Sequence, residues 1–439
     1  MIGFFNRTFA GNQKFLTMNT NDNGKKTHKG LNALLHNEAA VGILLLACAL
    51  VAVAMASFPE TMWFDKMWNK DGSITVGDFS ITMSIRHWIN DALMAIFFFV
   101  VGLEIKKEML IGRLSSLKKS ALPVMAAIGG MIVPALIFTA FNAGNPETSG
   151  GWGIPMATDI AFAIGIISLL GSRVNPGLKV FLTALAIVDD LGAIIVLAIF
   201  YPSHALHFGW LVMAGIVLVI LFLFNRGKLD NRYFYIIAGL FLWYFILMSG
   251  IHATVAGVLL AMTIPSKGHS GEYHDSLMHR FERGLRPFVN FVVIPLFALA
   301  NAGVALDFSS FSGNGIPTVS LGIFFGLLVG KPVGILLLSW IGVKFRIASL
   351  PDGIRWSQVA AMGILGGIGF TMSIFINSLA FRDPGLTDIG KMSILLTSAV
   401  AAILGIAMLW LTCRRDSRQL PPEVLEMTNS SKRFFSKTE

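Results

Sequence analysis

Leu178-Lys179-Val180-Phe181-Leu182-Thr183-Ala184-Leu185-Ala186-Ile187-Val188-Asp189-Asp190-Leu191-Gly192-Ala193-Ile194-Ile195-Val196-Leu197-Ala198-Ile199-Phe200 is apolar almost throughout, yet two adjacent carboxylates stand at its midpoint. As a helix, at about 1.5 Å per residue, it is long enough to cross the roughly 30 Å hydrocarbon core of a bilayer. An Asp at the centre of such a span costs about 2.5–3.5 kcal/mol on insertion scales, so ionisable residues there are functional candidates by default. Neighbours on a helix point about 100° apart, so Asp189 and Asp190 cannot share one direction. One can face an aqueous cavity while the other faces a neighbouring helix. Two carboxylates this close cannot both carry charge cheaply in a low-dielectric site, which makes proton binding part of their chemistry. A purely structural pair, neutralised by other helices, is the competing reading.

The rest of the chain agrees with a membrane setting. Of its 439 residues, 54% are hydrophobic and only 13% charged, about half the charged share of soluble domains. That content suits about a dozen spans in a single membrane domain. The net charge of +9 is scattered over short loops with no basic face, which argues against a nucleic-acid partner. Cys48 and Cys413 are too few for a disulfide framework, zinc site or Fe–S cluster.

Apolar segments lie near 40–58, 84–103, 121–141, 156–170, 178–200, 208–225, 233–248, 251–264, 288–304, 318–341, 357–377 and 391–412. Twelve transmembrane helices are therefore expected, with polar tails at 1–39 and 413–439. Lys66, Lys70, Arg86, Arg382 and Lys391 occupy one set of loops, and Lys331 lies within a span. The remaining Lys and Arg of the 34 fall in the other loops and the tails. By the positive-inside rule both termini are cytoplasmic. Ala54-Met55-Ala56 looks like a signal-peptidase site, but the preceding stretch is long enough to span. In the loop from Met62 to Ser80, Asp71-Gly72 between two apolar, aromatic runs reads as a β-hairpin turn on the external side. A lone hairpin is marginal in water, so a second copy could stabilise it by pairing. An ordered loop resting on its own membrane domain serves equally.

Further charges stand where apolar residues would insert more cheaply: Asp91, Asp159 and Lys331, with His252 at the start of a span. Several buried carboxylates and one buried Lys suggest an internal ion pair. Two spans are also broken. Gly150-Gly151-Trp152-Gly153-Ile154-Pro155 runs into Thr158-Asp159, and Gly363, Gly366, Gly367 and Gly369 interrupt a helix before Thr371, Ser373 and Asn377. Such breaks free backbone groups that only protein or a water-filled cavity can satisfy, and unwound carbonyls suit a small hard cation. Glycines for close helix packing are the alternative in the second span.

At these residues the chain resembles the NhaA family of sodium/proton antiporters. The likeness runs from about Ala40 to Thr412. It is carried by Val100-Val101-Gly102-Leu103-Glu104-Ile105-Lys106-Lys107-Glu108, Ala157-Thr158-Asp159-Ile160-Ala161-Phe162 and Ala186-Ile187-Val188-Asp189-Asp190-Leu191-Gly192. Gly250-Ile251-His252-Ala253-Thr254, Phe297-Ala298-Leu299-Ala300-Asn301-Ala302-Gly303 and Gly330-Lys331-Pro332 match as well. This family is itself a standard example of inverted repeats with paired broken helices at the binding site, so the breaks are not independent support.

The resemblance implies an all-α integral membrane fold of twelve helices, with inverted repeats, two crossed discontinuous helices and a small external hairpin. It implies Na⁺ and protons bound by Asp190 and Asp189, with Asp159 and Thr158 near the crossing. Lys331 would pair with Asp189 and be released as the site loads. Glu104, Glu108, Glu282 and His252 would form a cytoplasmic pH-responsive cluster, and Asp91 would line the external side. It further implies a homodimer through residues 62–80, residence in the bacterial inner membrane, and no cofactor. The expected activity is electrogenic exchange of cytoplasmic Na⁺ or Li⁺ for external H⁺, serving sodium and pH homeostasis. An intramembrane aspartyl protease would leave a third acid and Lys331 unexplained. A channel lacks a repeated carbonyl filter or charged ring, and no Gly-x-x-x-x-Gly-Lys run supports ATP-driven pumping.

Overall fold

The helices grow directly out of the apolar segments. A computed structural model describes residues 38–417 except 77–78, 113–114, 228, 269–272, 306–315 and 352. Among the described residues, nine helices are long and apolar enough to cross a membrane. They are α1 (Glu38–Ser57), α2 (Ile85–Leu110), α3 (Ser120–Asn142), α6 (Pro176–Phe200), α7 (Phe208–Arg226), α8 (Arg232–Ser249), α10 (Leu277–Asn301), α11 (Thr318–Lys344) and α14 (Pro384–Cys413). Two bent pairs qualify when each is counted as one span. They are α4 with α5 (Pro146–Met156 and Ile160–Leu169, bent by 44°) and α12 with α13 (Trp356–Gly366 and Phe370–Ala380, bent by 47°).

The remaining expected segment, 251–264, the eighth in chain order, differs from a full span. It yields only α9 (Val255–Thr263), nine residues long, because Gly250 ends α8 at φ 90° and tight turns fill the residues before Val255. Only glycine fits at 250. It is left-handed, and a Cβ there would lie 2.7 Å from the Ala205 carbonyl oxygen. The expected boundary at 412 falls inside the last helix, which continues to Ser417; residues 1–37 and 418–439 of the tails lie outside the described residues.

The Met62–Ser80 loop also differs. Met62–Trp68 is a short helix in which Phe64 and Trp68, at i and i+4, meet edge to face at 5.5 Å. The aromatic run that looked like a strand is therefore a helical face. Asp71-Gly72 is no turn: it opens β1 (Asp71–Val76), which pairs antiparallel with β2 (Phe79–Ser84) from Asp71 opposite Ser84 to Val76 opposite Phe79. Trp88 Nε1 donates to the Gly72 carbonyl at 2.9 Å, tying the strand pair to the start of α2.

α6 is the most enclosed of the nine long helices and α7 the least. Beside α6, α3 and α11 approach until their backbones touch. A Cβ on Gly129 would lie 2.0 Å from the Gly334 carbonyl oxygen, and one on Gly334 would lie 2.1 Å from that of Gly129. Small residues permit this closeness in membrane helices. Here the contact fixes the stretch of α11 that carries Lys331.

Candidate functional site

The breaks in the two bent spans meet each other. Between α4 and α5 the chain is extended at Ala157 and Asp159, as a Gly- and Pro-rich run followed by polar residues would have it. The Asp159 amide donates to the Ile368 carbonyl at 2.7 Å, and the Thr158 hydroxyl lies 2.9 Å from the Gly366 carbonyl oxygen. Backbone groups freed by one break are thus satisfied at the other.

Asp159 caps both outgoing half-helices. Its Oδ1 accepts from the Phe162 amide at 2.9 Å in the first turn of α5. Its Oδ2 accepts from the Thr371 amide at 3.1 Å in the first turn of α13, and from the Thr371 hydroxyl. A carboxylate is well placed where two helix N-termini direct their free N–H groups and partial positive charge. Glycine spacing pointed to the second break, but nothing in the sequence tied Thr371 to Asp159.

Lys331 supplies the opposite charge. Its Nζ lies 2.5 Å from Asp189 Oδ2 and 2.6 Å from Thr158 Oγ1, which is itself 2.6 Å from the same carboxylate oxygen. A π-helical turn, Gly326–Gly330, immediately precedes Lys331, a local widening that often marks functional positions in helices. Exposure is 0% for Thr158 and Lys331, 1% for Asp189 and Asp190, and 2% for Asp159.

Asp189 and Asp190 therefore have different surroundings. Asp189 Oδ2 is held by Lys331 and Thr158, whereas Asp189 Oδ1 and Asp190 Oδ1 are buried acceptors with no hydrogen-bond partner among the described residues. Unpartnered buried oxygens are rare in proteins and call for an explanation. Unpartnered carboxylate oxygens on successive residues are donors that suit a hard monovalent cation or a proton.

A second cluster gathers at the far end of α2. Lys107 Nζ lies 2.8 Å from Glu282 Oε1, Arg286 pairs with Glu104, and the Tyr273 hydroxyl donates to Glu282. Burial first, and then the Glu282 carboxylate it faces, push the Tyr273 phenol above its ordinary value. Lys106 Nζ caps the C-terminal end of α9 through the carbonyls of Met262 and Ile264, at 2.6 and 2.5 Å. Sequence reading grouped Glu104, Glu108 and Glu282 only through the family resemblance, and Glu104 feels the charges of both the others. It missed Tyr273 and Arg286, and it treated Lys106 and Lys107 as topology charges alone.

His252 does not join that cluster. Its Nε2 lies 3.5 Å from Asp91 Oδ1, and Asp91 stands 13 residues before Glu104 on the same helix, about 20 Å along its axis. The turn at Gly250 carries the imidazole to this opposite end. The expected grouping of His252 with Glu104, Glu108 and Glu282 is accordingly corrected: its partner is Asp91.

Comparison with known proteins identifies the family. The family model described as Na⁺/H⁺ antiporter 1 matches residues 32–409. The chain is 48% identical over 374 residues to Na(+)/H(+) antiporter NhaA 1 of Clostridium beijerinckii, covering 85% of this chain and 92% of that one. It is 46% identical over 392 residues to Na(+)/H(+) antiporter NhaA of Salmonella arizonae, covering 89% and 99%. Its fold resembles the sodium proton antiporter MjNhaP1 of Methanocaldococcus jannaschii, with a TM-score of 0.51 at 14% identity over 85% of this chain and 92% of that one. The buried Asp189–Lys331 pair at the junction of two broken helices thus sits in a chain that belongs to the Na⁺/H⁺ antiporter 1 family, whose members are transporters and not enzymes.

Proposed function

We propose that this protein exchanges cytoplasmic Na⁺ or Li⁺ for external protons across the bacterial plasma membrane, with Asp190 and Asp189 as the shared cation and proton site. The observation that carries this reading is the pair of unpartnered buried oxygens, Asp189 Oδ1 and Asp190 Oδ1, beside the break and next to Lys331.

The chemistry follows from competition for one site. A hard cation needs oxygen ligands, and two carboxylates offer them only when ionised. At low cytoplasmic pH protons occupy the site and exclude Na⁺; as pH rises the carboxylates ionise and the cation binds, so exchange rises with pH. Asp189 is neutralised by Lys331 in the resting pair and becomes a ligand when Lys331 withdraws. Thr158 sits where it can hold either partner, and Asp159 steadies the half-helices around them. With two titrating groups and one monovalent ion, more protons than cations move per cycle, and the membrane potential drives export. Glu104, Glu108 and Glu282, with Lys107, Arg286 and Tyr273, supply a charged network that responds to cytoplasmic pH.

The wider reading is a twelve-helix antiporter with inverted repeats, α9 completing the short eighth span, and both termini in the cytoplasm. It acts as a homodimer joined through β1 and β2, needs no cofactor, and serves sodium and pH homeostasis. The test is proton movement in everted vesicles on separate addition of Na⁺, Li⁺ and K⁺. Dissipation of an acid interior by Na⁺ and Li⁺, steeper as pH rises, is expected. Na⁺ flux with no counter-moving proton would instead identify a channel.

A further inference from the structure

At the end of α2 remote from Glu104, a buried carboxylate is shared by two imidazoles. His87 Nε2 lies 3.1 Å from Asp91 Oδ2, and His252 Nε2 lies 3.5 Å from Asp91 Oδ1. The side chain of His87 is 54% exposed, that of Asp91 7% and that of His252 3%. The three thus form a short line from the surface inward. Asp91 sits in a π-helical turn, Ile89–Leu93, which re-aims its side chain within α2. Its backbone carbonyl is held by Trp243 Nε1 of α8 at 3.2 Å.

We propose that His87 is the outer proton-loading residue of this antiporter, passing protons through Asp91 to His252. The inference rests on the exchange reading above and adds a residue that it does not use.

Among the described residues the ion-pair partners of Asp91 are the two imidazoles. The guanidinium of Arg86, five residues before Asp91, is spent elsewhere, at 2.6 Å from Asp65 and 3.1 Å from the Ala300 carbonyl. Asn90 and Asn301 pair with each other, and Trp243 and Phe375 bring no charge. The charges acting on His252 are those of Asp91 and His87. An ionised Asp91 with two neutral imidazoles would be a buried charge with no counter-charge, which proteins avoid. One imidazolium facing the carboxylate supplies that counter-charge, which gives the trio one transferable proton.

That proton can move inward in balanced steps. The His87 imidazolium gives its Nε2 proton to Asp91 Oδ2 and becomes neutral. A half-turn of the carboxyl about Cβ–Cγ turns the acid proton towards His252, whose Nε2 takes it and restores the carboxylate. His252 must give up that proton inward before His87 reloads from solution, so the trio carries one transferable proton at a time. His252 Nδ1 is anchored on the Thr254 hydroxyl at 2.8 Å, so its ring stays aimed at Asp91. The same ring meets Phe375 of α13 edge to face at 5.3 Å, one turn beyond Thr371, the donor to Asp159. Histidine suits this work because its proton is exchangeable near neutral pH.

The experiment uses the full chain in weakly buffered proteoliposomes, with Na⁺-coupled proton flux followed as the outer pH is varied. In His87→Ala, exchange should fall by about tenfold at alkaline outer pH, where protons are scarce, and less at acidic pH. Free imidazole on the outer side should restore it, which it could not do for a merely structural loss. If His87→Ala fails to insert, His87→Gln must show the same pH-dependent loss. Wild-type rates at every outer pH, or a loss that imidazole does not relieve, overturn the relay alone. Absence of Na⁺-coupled proton flux in wild type overturns the exchange reading, and the relay with it.

Discussion

Lys331 Nζ lies 2.5 Å from Asp189 Oδ2 with both side chains sealed from solvent, while the next residue, Asp190, leaves its Oδ1 without a donor. The helical turn of about 100° per residue separates the roles of two identical side chains. Asp189 meets α11 and its lysine; Asp190 is left as the less neutralised oxygen donor. In a low-dielectric interior such a division matters, because each buried charge must find its own compensation.

Removing one member of the Lys331–Asp189 pair should cost more than removing both. Lys331→Met leaves Asp189 unpaired, and a loss of about 3–5 kcal/mol in folding stability is expected. Adding Asp189→Asn should recover much of that loss, since neither charge then remains. Thermal unfolding of the detergent-solubilised single and double variants checks this, and simple additivity of the two losses would argue against direct pairing.

Thr371 should matter through Asp159. Thr371→Val deletes the hydroxyl donor to Asp159 Oδ2 while keeping the shape, and about 1–3 kcal/mol is expected to be lost. Thr371→Ser retains the hydroxyl and should behave nearly as wild type. Both the melting temperature and the Na⁺ dependence of exchange report on it, because the bond joins the two half-helix starts that border the proposed cation site.

The α3–α11 contact tolerates no side chain. Gly334→Ala would put a Cβ 2.1 Å from the Gly129 carbonyl oxygen, so the helices must part, at about 3 kcal/mol or more by the scale of overpacked interiors. Lys331, three residues earlier, would shift with α11 and exchange should fall. Gly215→Ala is the control. Nothing lies within 4 Å of a Cβ at that position, and the change should be neutral or stabilising by up to about 1 kcal/mol.

Tyr273 should steady the Glu282 cluster without supplying the exchange itself. Its phenol, raised above its ordinary value by burial and by Glu282, keeps its proton through the physiological range and remains a donor to the carboxylate. Tyr273→Phe deletes that donor and leaves Glu282 to Lys107 and Arg286, so about 1–3 kcal/mol of folding stability is expected to be lost. A lower melting temperature with an unchanged maximal exchange rate is expected; an unchanged melting temperature would show that this bond contributes nothing.

Much of this was legible in the chain because membranes penalise charge and irregular backbone so heavily. Asp189, Asp190, Asp159 and Lys331 stand out by their cost of insertion, and the runs ending at Pro155 and Gly369 mark broken helices. What was not legible depended on three-dimensional detail. The π-helical turns before Lys331 and around Asp91 leave no trace in a 3.6-residue pattern. The double cap by Asp159 joins residues 212 apart in sequence. His252 was placed at the wrong end of α2 because a residue at the start of an apolar segment can belong to either face until the turn at Gly250 is known. The helix at Met62–Trp68 was hidden by aromatic residues that serve a strand equally well.

Na⁺-driven proton flux through Asp190→Asn, inserted at wild-type levels in everted vesicles, tests the central claim most directly. The amide keeps the size of the side chain but can neither ionise nor carry the proton. Exchange should be lost across the whole pH range and at any Na⁺ concentration. Exchange at the wild-type rate, with the wild-type dependence on Na⁺, would contradict the assignment of the cation site to this pair.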